Sequence, residues 1–359
     1  MIIDNRESLD KFLKATDEYK LIEWITFQHM KAWFYTLDPT TLEALAYALS
    51  KCKSLKHINL NDNNLAALDA PDFQALSTIL THCKIQKISL GGNNLGVLDT
   101  IGFQSLGTAL SQCKRLQTIN LMFNHLNQLK TTSFQALGTA LSQCKMLQTL
   151  QLGGNQFELF NTTMFQELGS ALAQCNSLKT IDLIANNLGS LDPTQLKALG
   201  AAFSQCKKLQ TINIMLNTLA SLDVIGLQAL GAALSQCYTL QQIKLDDNNL
   251  HALDHDRFQA LHTGLSESKL LTQMGGILQF SPKRKKLLTD ILEKNKKYID
   301  GLEPALQAGM PNYPENLQGL ILTYITPPGM LYEYHKDIKA KETEGKEAPT
   351  NDQKMKKQS

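Results

Sequence analysis

From Cys113 to Gln143 the chain reads CKRLQTINLMFNHLNQLKTTSFQALGTALSQ, and at Cys144 the same pattern begins again. Its seven cysteines stand at Cys52, Cys83, Cys113, Cys144, Cys175, Cys206 and Cys237, every 31 residues with one step of 30. A fixed period of this length marks a solenoid, in which each unit buries its apolar face only by stacking on its neighbours. Within the unit, Leu116, Ile119 and Leu121 alternate as the inward residues of a strand, and Asn124 and Leu126 turn the chain out of it. Phe134, Leu137, Ala140 and Leu141 then recur at helical spacing. Strand and helix alternating with this regularity predict a parallel sheet with helical crossovers.

The core L-x-x-I-x-L-x-x-N-x-L resembles the leucine-rich repeat of the ribonuclease-inhibitor type, over roughly residues 21 to 276. The resemblance implies an α/β horseshoe with the parallel sheet on the concave side, helices on the convex side and helical caps at both ends. A 31-residue unit slightly exceeds the usual range; the extra residues fall between strand and helix. The expected organisation is an N-terminal helix over 1–20, a degenerate capping repeat over 21–51, and seven repeats plus a final strand over 52–276. A helical cap over 277–335 and a disordered tail over 336–359 follow.

In the capping repeat, Trp24, Phe27 and Leu37 take the positions of Leu55, Ile58 and Leu68, with Ala32 for the asparagine. Terminal repeats are expected to be atypical in this way. Near the other end, residues 282 to about 300 read as a helix with Leu288, Ile291 and Tyr298 inward. Its start, Lys283-Arg284-Lys285-Lys286, is either a solvated helix face or a nuclear-targeting cluster. A second helix is expected from about Glu315 to Ile325, ended by Pro327-Pro328.

A net charge of +2 with 19% charged residues gives no global pull toward nucleic acid or membrane. The first ten residues carry Asp4, Glu7 and Asp10 and no apolar core of signal-peptide length, and no run reaches the roughly 18 apolar residues of a membrane span. An odd number of thiols with none forced to pair fits a reducing compartment, so a cytosolic chain is expected.

The repeat columns have structural explanations. Asn63, Asn93, Asn124, Asn155, Asn186, Asn217 and Asn248 satisfy backbone groups where the chain leaves the sheet. Gly107, Gly138, Gly169, Gly200 and Gly231 sit in mid-helix, where each costs about 1 kcal/mol against alanine, so close helix packing is expected there. Lys53, Lys84, Lys114, Lys145 and Lys207 offset helix C-terminal dipoles, the alternative being an anion-binding stripe. One cysteine per repeat is not the close C-x-x-C pairing of a zinc site, and the column is expected to be buried as small apolar residues.

The sequence holds no G-x-S-x-G, Walker loop or dinucleotide fingerprint. The densest polar cluster is His251, Asp254, His255, Asp256 and His262; Asp254 recurs at Asp69, Asp99, Asp192 and Asp223 as a helix-start acid. No enzyme, cofactor or metal is expected, and a monomer that binds protein rather than nucleic acid is.

The two positions before each asparagine are the informative ones. They hold Met122, Phe123, Ile184, Met215 and Leu216 in the middle repeats and Asp62, Asp246 and Asp247 toward the ends. Large apolar residues at solvent-facing positions mark a partner surface on the concave side, unless they merely pack on one another. Between them Gly153-Gly154 is expected to leave a depression.

Two further resemblances bear on function. The near-identical short repeats with FQALGTALSQC (Phe134–Cys144) are similar to the leucine-rich-repeat effectors that intracellular bacteria inject into host cells. That likeness implies passage from bacterial to host cytoplasm, a host-protein target and a C-terminal export signal, for which Glu342, Glu344 and Glu347 are candidates. Tyr313 to Leu331 is similar to the start of an F-box, the helical motif that docks on a cullin-type ubiquitin-ligase adaptor. Pro314, Leu317, Ile321, Leu322 and Tyr324 fall at its positions. The other reading of this helix is a cap over the last repeat.

Overall fold

The computed structural model describes residues 1–14, 21–29, 38–80 and 84–307. The chain divides into two compact units, Met1–Asn295 and Lys296–Ser359. In the second, the described part is the last stretch of the helix that starts at Pro282, as far as Gln307. The expected second helix, the F-box-like segment with Pro314, Leu317, Ile321, Leu322 and Tyr324, and the tail lie outside the described residues.

Ten strands form one parallel sheet in strict chain order. They are β1 (Ile2–Ile3), β2 (Trp24–Phe27), β3 (His57–Asn59), β4 (Lys87–Ser89) and β5 (Thr118–Asn120). The sheet continues through β6 (Thr149–Gln151), β7 (Thr180–Asp182), β8 (Thr211–Asn213), β9 (Gln242–Lys244) and β10 (Gln273–Met274). The register puts one buried β-former per strand in a single row, Ile58, Ile88, Ile119, Leu150, Ile181, Ile212 and Ile243. After each strand from β3 onward comes a short 3-10 turn, such as Leu126–Gln128, and then a helix, such as Thr131–Ser142. The turn takes up the extra residues of the long repeat. One core cluster runs from Ile3 to Ile291 without a break.

The asparagine column lies inside that core and is fully used. Asn155 Oδ1 accepts from the backbone N–H of Asn124 at 2.9 Å and of Leu126 at 3.3 Å, one repeat back. Its amide donates to the carbonyls of Leu121 at 3.0 Å and Leu152 at 2.8 Å. The next rung repeats it, with Asn186 Oδ1 accepting from Asn155 N–H at 2.8 Å. The helix starts follow the expected acid cap: Asp99, Asp223 and Asp254 accept from the third following N–H, and Asp192 forms a capping box with Gln195.

The N-terminal end departs from the expected register by two residues. Trp24 pairs with His57 and Ile25 with Ile58, so Ile25 is the core residue and Trp24 stands on the sheet surface, 56% exposed. Phe27 is buried in the position of Leu60, and its carbonyl accepts from Asn63 Nδ2 at 2.8 Å as that of Leu60 does from Asn93. The link between these two strands is two residues longer than a repeat, so counting back by 31 misplaces the row. Leu37 and Ala32 lie outside the described residues. Ahead of the expected N-terminal helix, seen as Arg6–Lys14 with Leu9 and Phe12 buried, Ile2–Ile3 adds a strand to the sheet. Two residues are too few for periodicity to reveal.

At the other end the helix Pro282–Gln307 covers the last repeat with Leu288 and Ile291. Tyr298, expected inward, stands in the second unit and is 42% exposed. In its place Asn295 is buried, donating to the carbonyls of Ser268 at 2.7 Å and Leu271 at 2.8 Å. One member of the basic run is structural: Arg284 donates to the carbonyls of Leu253 and Asp254 and lies over the Phe258 ring at 4.8 Å.

The mid-helix glycines sit where neighbouring helices touch backbone to backbone. A Cβ on Gly200 would lie 2.4 Å from Ala233 Cα, and one on Gly138 would lie 2.7 Å from Ala171 Cα. Intrinsic propensity favours Gly200→Ala by about 1 kcal/mol, but a contact that short forces the helices apart. Gly200→Ala is therefore expected to lower the melting temperature, and a rise would show that the helices are not in contact there.

The six described cysteines are free and buried; Cys83 lies outside the described residues. Cys52 Sγ donates to the carbonyl of Ala48 at 3.4 Å. Burial pushes the Cys144 thiol up to about 11 and that of Cys175 to about 12. A buried thiol favours its protonated form, so the folded state holds protons that the unfolded chain releases. This stability is complete below the unfolded thiol range and is lost as pH rises through about 11. The melting temperature is expected to fall from about pH 9 upward, with Cys144→Ala and Cys175→Ala giving a flatter profile. Equal slopes in variant and wild type would disprove burial as the cause.

Candidate functional site

The strand residues that face away from the core form a floor with few charges. Thr118, Thr149, Thr180 and Thr211 are in register in one row, and Asn120, Gln151, Asp182 and Asn213 in the next. Several of the second row hold the following turn: Asn120, Asp182 and Asn213 accept from the N–H of Met122, Ile184 and Met215 at 2.8, 3.0 and 3.1 Å. This floor is legible in the sequence as polar residues at alternating strand positions. Gln151 Oε1 is buried there with no hydrogen-bond partner.

The apolar residues singled out from the sequence stand beside this floor, not on it. Met122-Phe123, Ile184 and Met215-Leu216 occupy the turns that follow β5, β7 and β8, along the sheet's C-terminal edge. Backbone bonds tie these turns to one another: Phe123 N–H donates to Gly153 O at 2.9 Å, Gly154 to Ile184 O at 3.0 Å, and Leu216 to Asp246 O at 3.2 Å. Phe123 and Leu216 are 56% and 49% exposed, while Met122, Ile184 and Met215 are half-buried. Three repeats separate Phe123 from Leu216, roughly 15 Å at the spacing of neighbouring strands. Asp62 flanks the row on one side and Asp246 and Asp247 on the other; Asp62 and Asp247 are exposed and Asp246 half-buried.

The second residue of each of these turns is left-handed: φ is 59° at Asp62, 65° at Gly92 and Gly154, 57° at Phe123, 56° at Ala185, 55° at Leu216 and 57° at Asp247. Glycine and aspartate suit that conformation. A residue with a bulky side chain costs roughly 1–2 kcal/mol there, and Phe123 and Leu216 carry this cost without being buried.

The depression expected at Gly153-Gly154 is filled. A Cβ on Gly154 would lie 2.3 Å from Cδ1 of the Phe123 ring, so the ring rests on that glycine. Met122 Cε and Ile184 Cγ2 close over Gly153, 2.8 and 2.5 Å from where its Cβ would be. Side chains from the neighbouring repeats reach across because glycine leaves them room. Packing among the apolar residues therefore does occur at Met122 and Ile184, while Phe123 keeps its outer face in solvent.

The His251, Asp254, His255, Asp256, His262 cluster does not converge. Asp254 accepts from Arg257 N–H at 2.9 Å and pairs with its guanidinium at 2.9 Å, and the His262 ring lies against Phe258 at 6.1 Å. Among the described residues no group of three or more His, Cys, Asp or Glu side chains is placed to hold a metal.

The fold is similar to that of the leucine-rich repeat-containing protein LegL7 from Legionella pneumophila. That likeness has a TM-score of 0.56 at 17% identity and covers 82% of this chain and 98% of that one. Weaker likenesses include TLR13 in a complex with ssRNA13 (TM-score 0.34, 16% identity, 71% of this chain and 36% of that one) and the Caenorhabditis elegans tropomodulin C-terminal domain (TM-score 0.29, 12% identity, 56% and 98%). No family model and no curated protein matches the sequence. The likeness to LegL7 establishes a leucine-rich repeat fold without deciding the ribonuclease-inhibitor subtype.

Replacing Phe123 with Asn, which tolerates the left-handed region, is expected to leave the melting temperature unchanged or to raise it by a few degrees. A drop of the size seen for a buried Phe→Ala change, about 3–5 kcal/mol, would place Phe123 in the core and remove it from any docking role.

Proposed function

We propose that this leucine-rich repeat solenoid is a non-catalytic scaffold that binds a partner protein along the C-terminal edge of its sheet. The supporting observation is the left-handed backbone at Phe123 and Leu216, where large apolar side chains stand exposed at positions that favour glycine or aspartate. Local preference and core packing both argue for a small or polar residue at these points; binding supplies a reason for the large ones. Met122, Ile184 and Met215 continue the apolar row, and Asp62, Asp246 and Asp247 set an acidic limit at each end.

The partner belongs to a host cell in this proposal, and the chain acts as a monomeric effector passing from bacterial to host cytoplasm. The support is the likeness of its repeats to injected bacterial effectors and a fold shared with a Legionella protein.

Burying one large apolar side chain at an interface contributes roughly 1.5–3 kcal/mol. The double variant Phe123→Asp, Leu216→Asp is expected to weaken capture of the partner from host-cell lysate by about a hundredfold or more. Its melting temperature should stay that of the wild type. Undiminished capture by the folded double variant would sink the proposal.

A further inference from the structure

The small net charge conceals a strong separation of charges across the repeats. In a parallel sheet with antiparallel helices, every helix C-terminus falls on one rim of the solenoid and every helix N-terminus on the other. The first rim carries Lys53, Lys84, Lys114, Lys145, Lys207 and Lys269, all exposed. The second carries Asp62, Asp69, Asp99, Asp192, Asp223 and Asp247. Glu23 and Glu267 are acids on the basic rim and Lys130 and Arg257 cations on the acidic one; the basic run at Lys283–Lys286 lies past the last repeat.

Helix ends account for part of this. Lys114 Nζ donates to the last-turn carbonyl of Ser111 at 2.8 Å, and Asp69, Asp99, Asp192 and Asp223 cap helix starts. Other residues are surplus to that account. Lys56, Arg115, Lys179 and Lys208 lie further toward the next strand, also exposed, where no helix end needs a cation. The ion pairs among the described residues, Arg6–Asp10, Lys11–Glu7 and Arg257–Asp254, include none of them. Two large exposed side chains on the same rim stand where other repeats carry a cation, while Asn176 takes the lysine position of its own repeat. Tyr238 takes the lysine position of its repeat and is 52% exposed; Met146 takes the position of Arg115 and is 47% exposed.

We infer that this basic rim is a peripheral docking surface for an anionic phospholipid bilayer. A plane meets every repeat's rim at once, so cations spaced roughly 5–10 Å apart act together. Lysines near an anionic leaflet each add affinity, an exposed Tyr suits the headgroup layer, and the apolar Met146 can enter the acyl boundary beneath it, which a nucleic-acid backbone does not offer. The acidic rim is repelled, which fixes the orientation. That orientation turns the row Phe123–Leu216 away from the bilayer, leaving it free for a protein partner. The inference stands on residues of the opposite rim and does not depend on that partner.

The test is co-sedimentation of the full chain with phosphatidylcholine vesicles, with and without phosphatidylserine. Sedimentation with the anionic vesicles alone is expected, with release near 1 M NaCl, where the screening length falls to about 3 Å. Taking each cation near the surface as roughly fivefold in partitioning, Lys145→Glu, Lys207→Glu, Lys208→Glu together should weaken binding by at least about a hundredfold. The variant Lys56→Glu, Arg115→Glu, Lys179→Glu should do the same if the first set disturbs folding, as read by circular dichroism. Phe123→Asp, Leu216→Asp should bind vesicles like the wild type. Equal sedimentation with neutral vesicles, or full binding by both rim variants, overturns the inference. So does tighter binding to a short duplex DNA than to the anionic vesicles at the same salt, which would make the rim a nucleic-acid surface.

Discussion

Where the chain leaves each strand, several peptide groups turn toward the interior with no strand or helix partner, and one asparagine per repeat satisfies them. Asn155 illustrates the arrangement: its carbonyl oxygen accepts two N–H groups of the repeat before it, and its amide donates to carbonyls of both repeats. A buried polar group left unmade costs about 1–3 kcal/mol, so removing one such side chain exposes several costs together. The column also couples each repeat to the next. The 3-10 turn, the left-handed residues on either side of the asparagine and the helix start all take their positions from it.

The same coupling makes a repeat position into a surface. In a parallel sheet of ten strands in chain order, equivalent residues of successive repeats line up on one edge, face or rim. The turn residue with φ near 57° points out of the core, and the chain uses Asp, Gly, Phe, Ala and Leu there although the left-handed backbone favours the first two. Variation is concentrated at these outward turn positions, and identity at the asparagines and the inward row of the strands, which the core dictates. Helix polarity works in the same direction, sorting the lysines and aspartates that lie at helix ends onto opposite rims.

The regular part of the fold was legible because periodicity and burial report the same thing. Ile119, Leu150 and Ile181 recur at 31 residues since each must fill an equivalent place in a continuous core. Glycines in mid-helix were legible for a related reason: a residue that costs helix stability five times over implies contact, and the Gly200 and Ala233 backbones lie together. Reading failed where the period fails. The strand Trp24–Phe27 is offset by two residues, and Ile2–Ile3 is too short to carry any pattern. Tyr298 has the spacing of an inward residue, but a helix face continues in sequence whether or not a core lies beneath it.

By itself the sequence determined the repeat, its strand and helix halves, the asparagine and cysteine columns and the residues that depart from the scaffold at the turns. Each is a local or strictly periodic constraint, which a linear string records. Tertiary structure alone decided that Met122, Phe123, Ile184, Met215 and Leu216 lie along the edge of the sheet beside a polar floor. It also decided that the Phe123 ring fills the space over Gly154, and that charges scattered through the chain separate onto two rims. Those properties depend on which neighbours the stacking brings into contact, and a one-residue change of register would move every side chain of a strand to its other face.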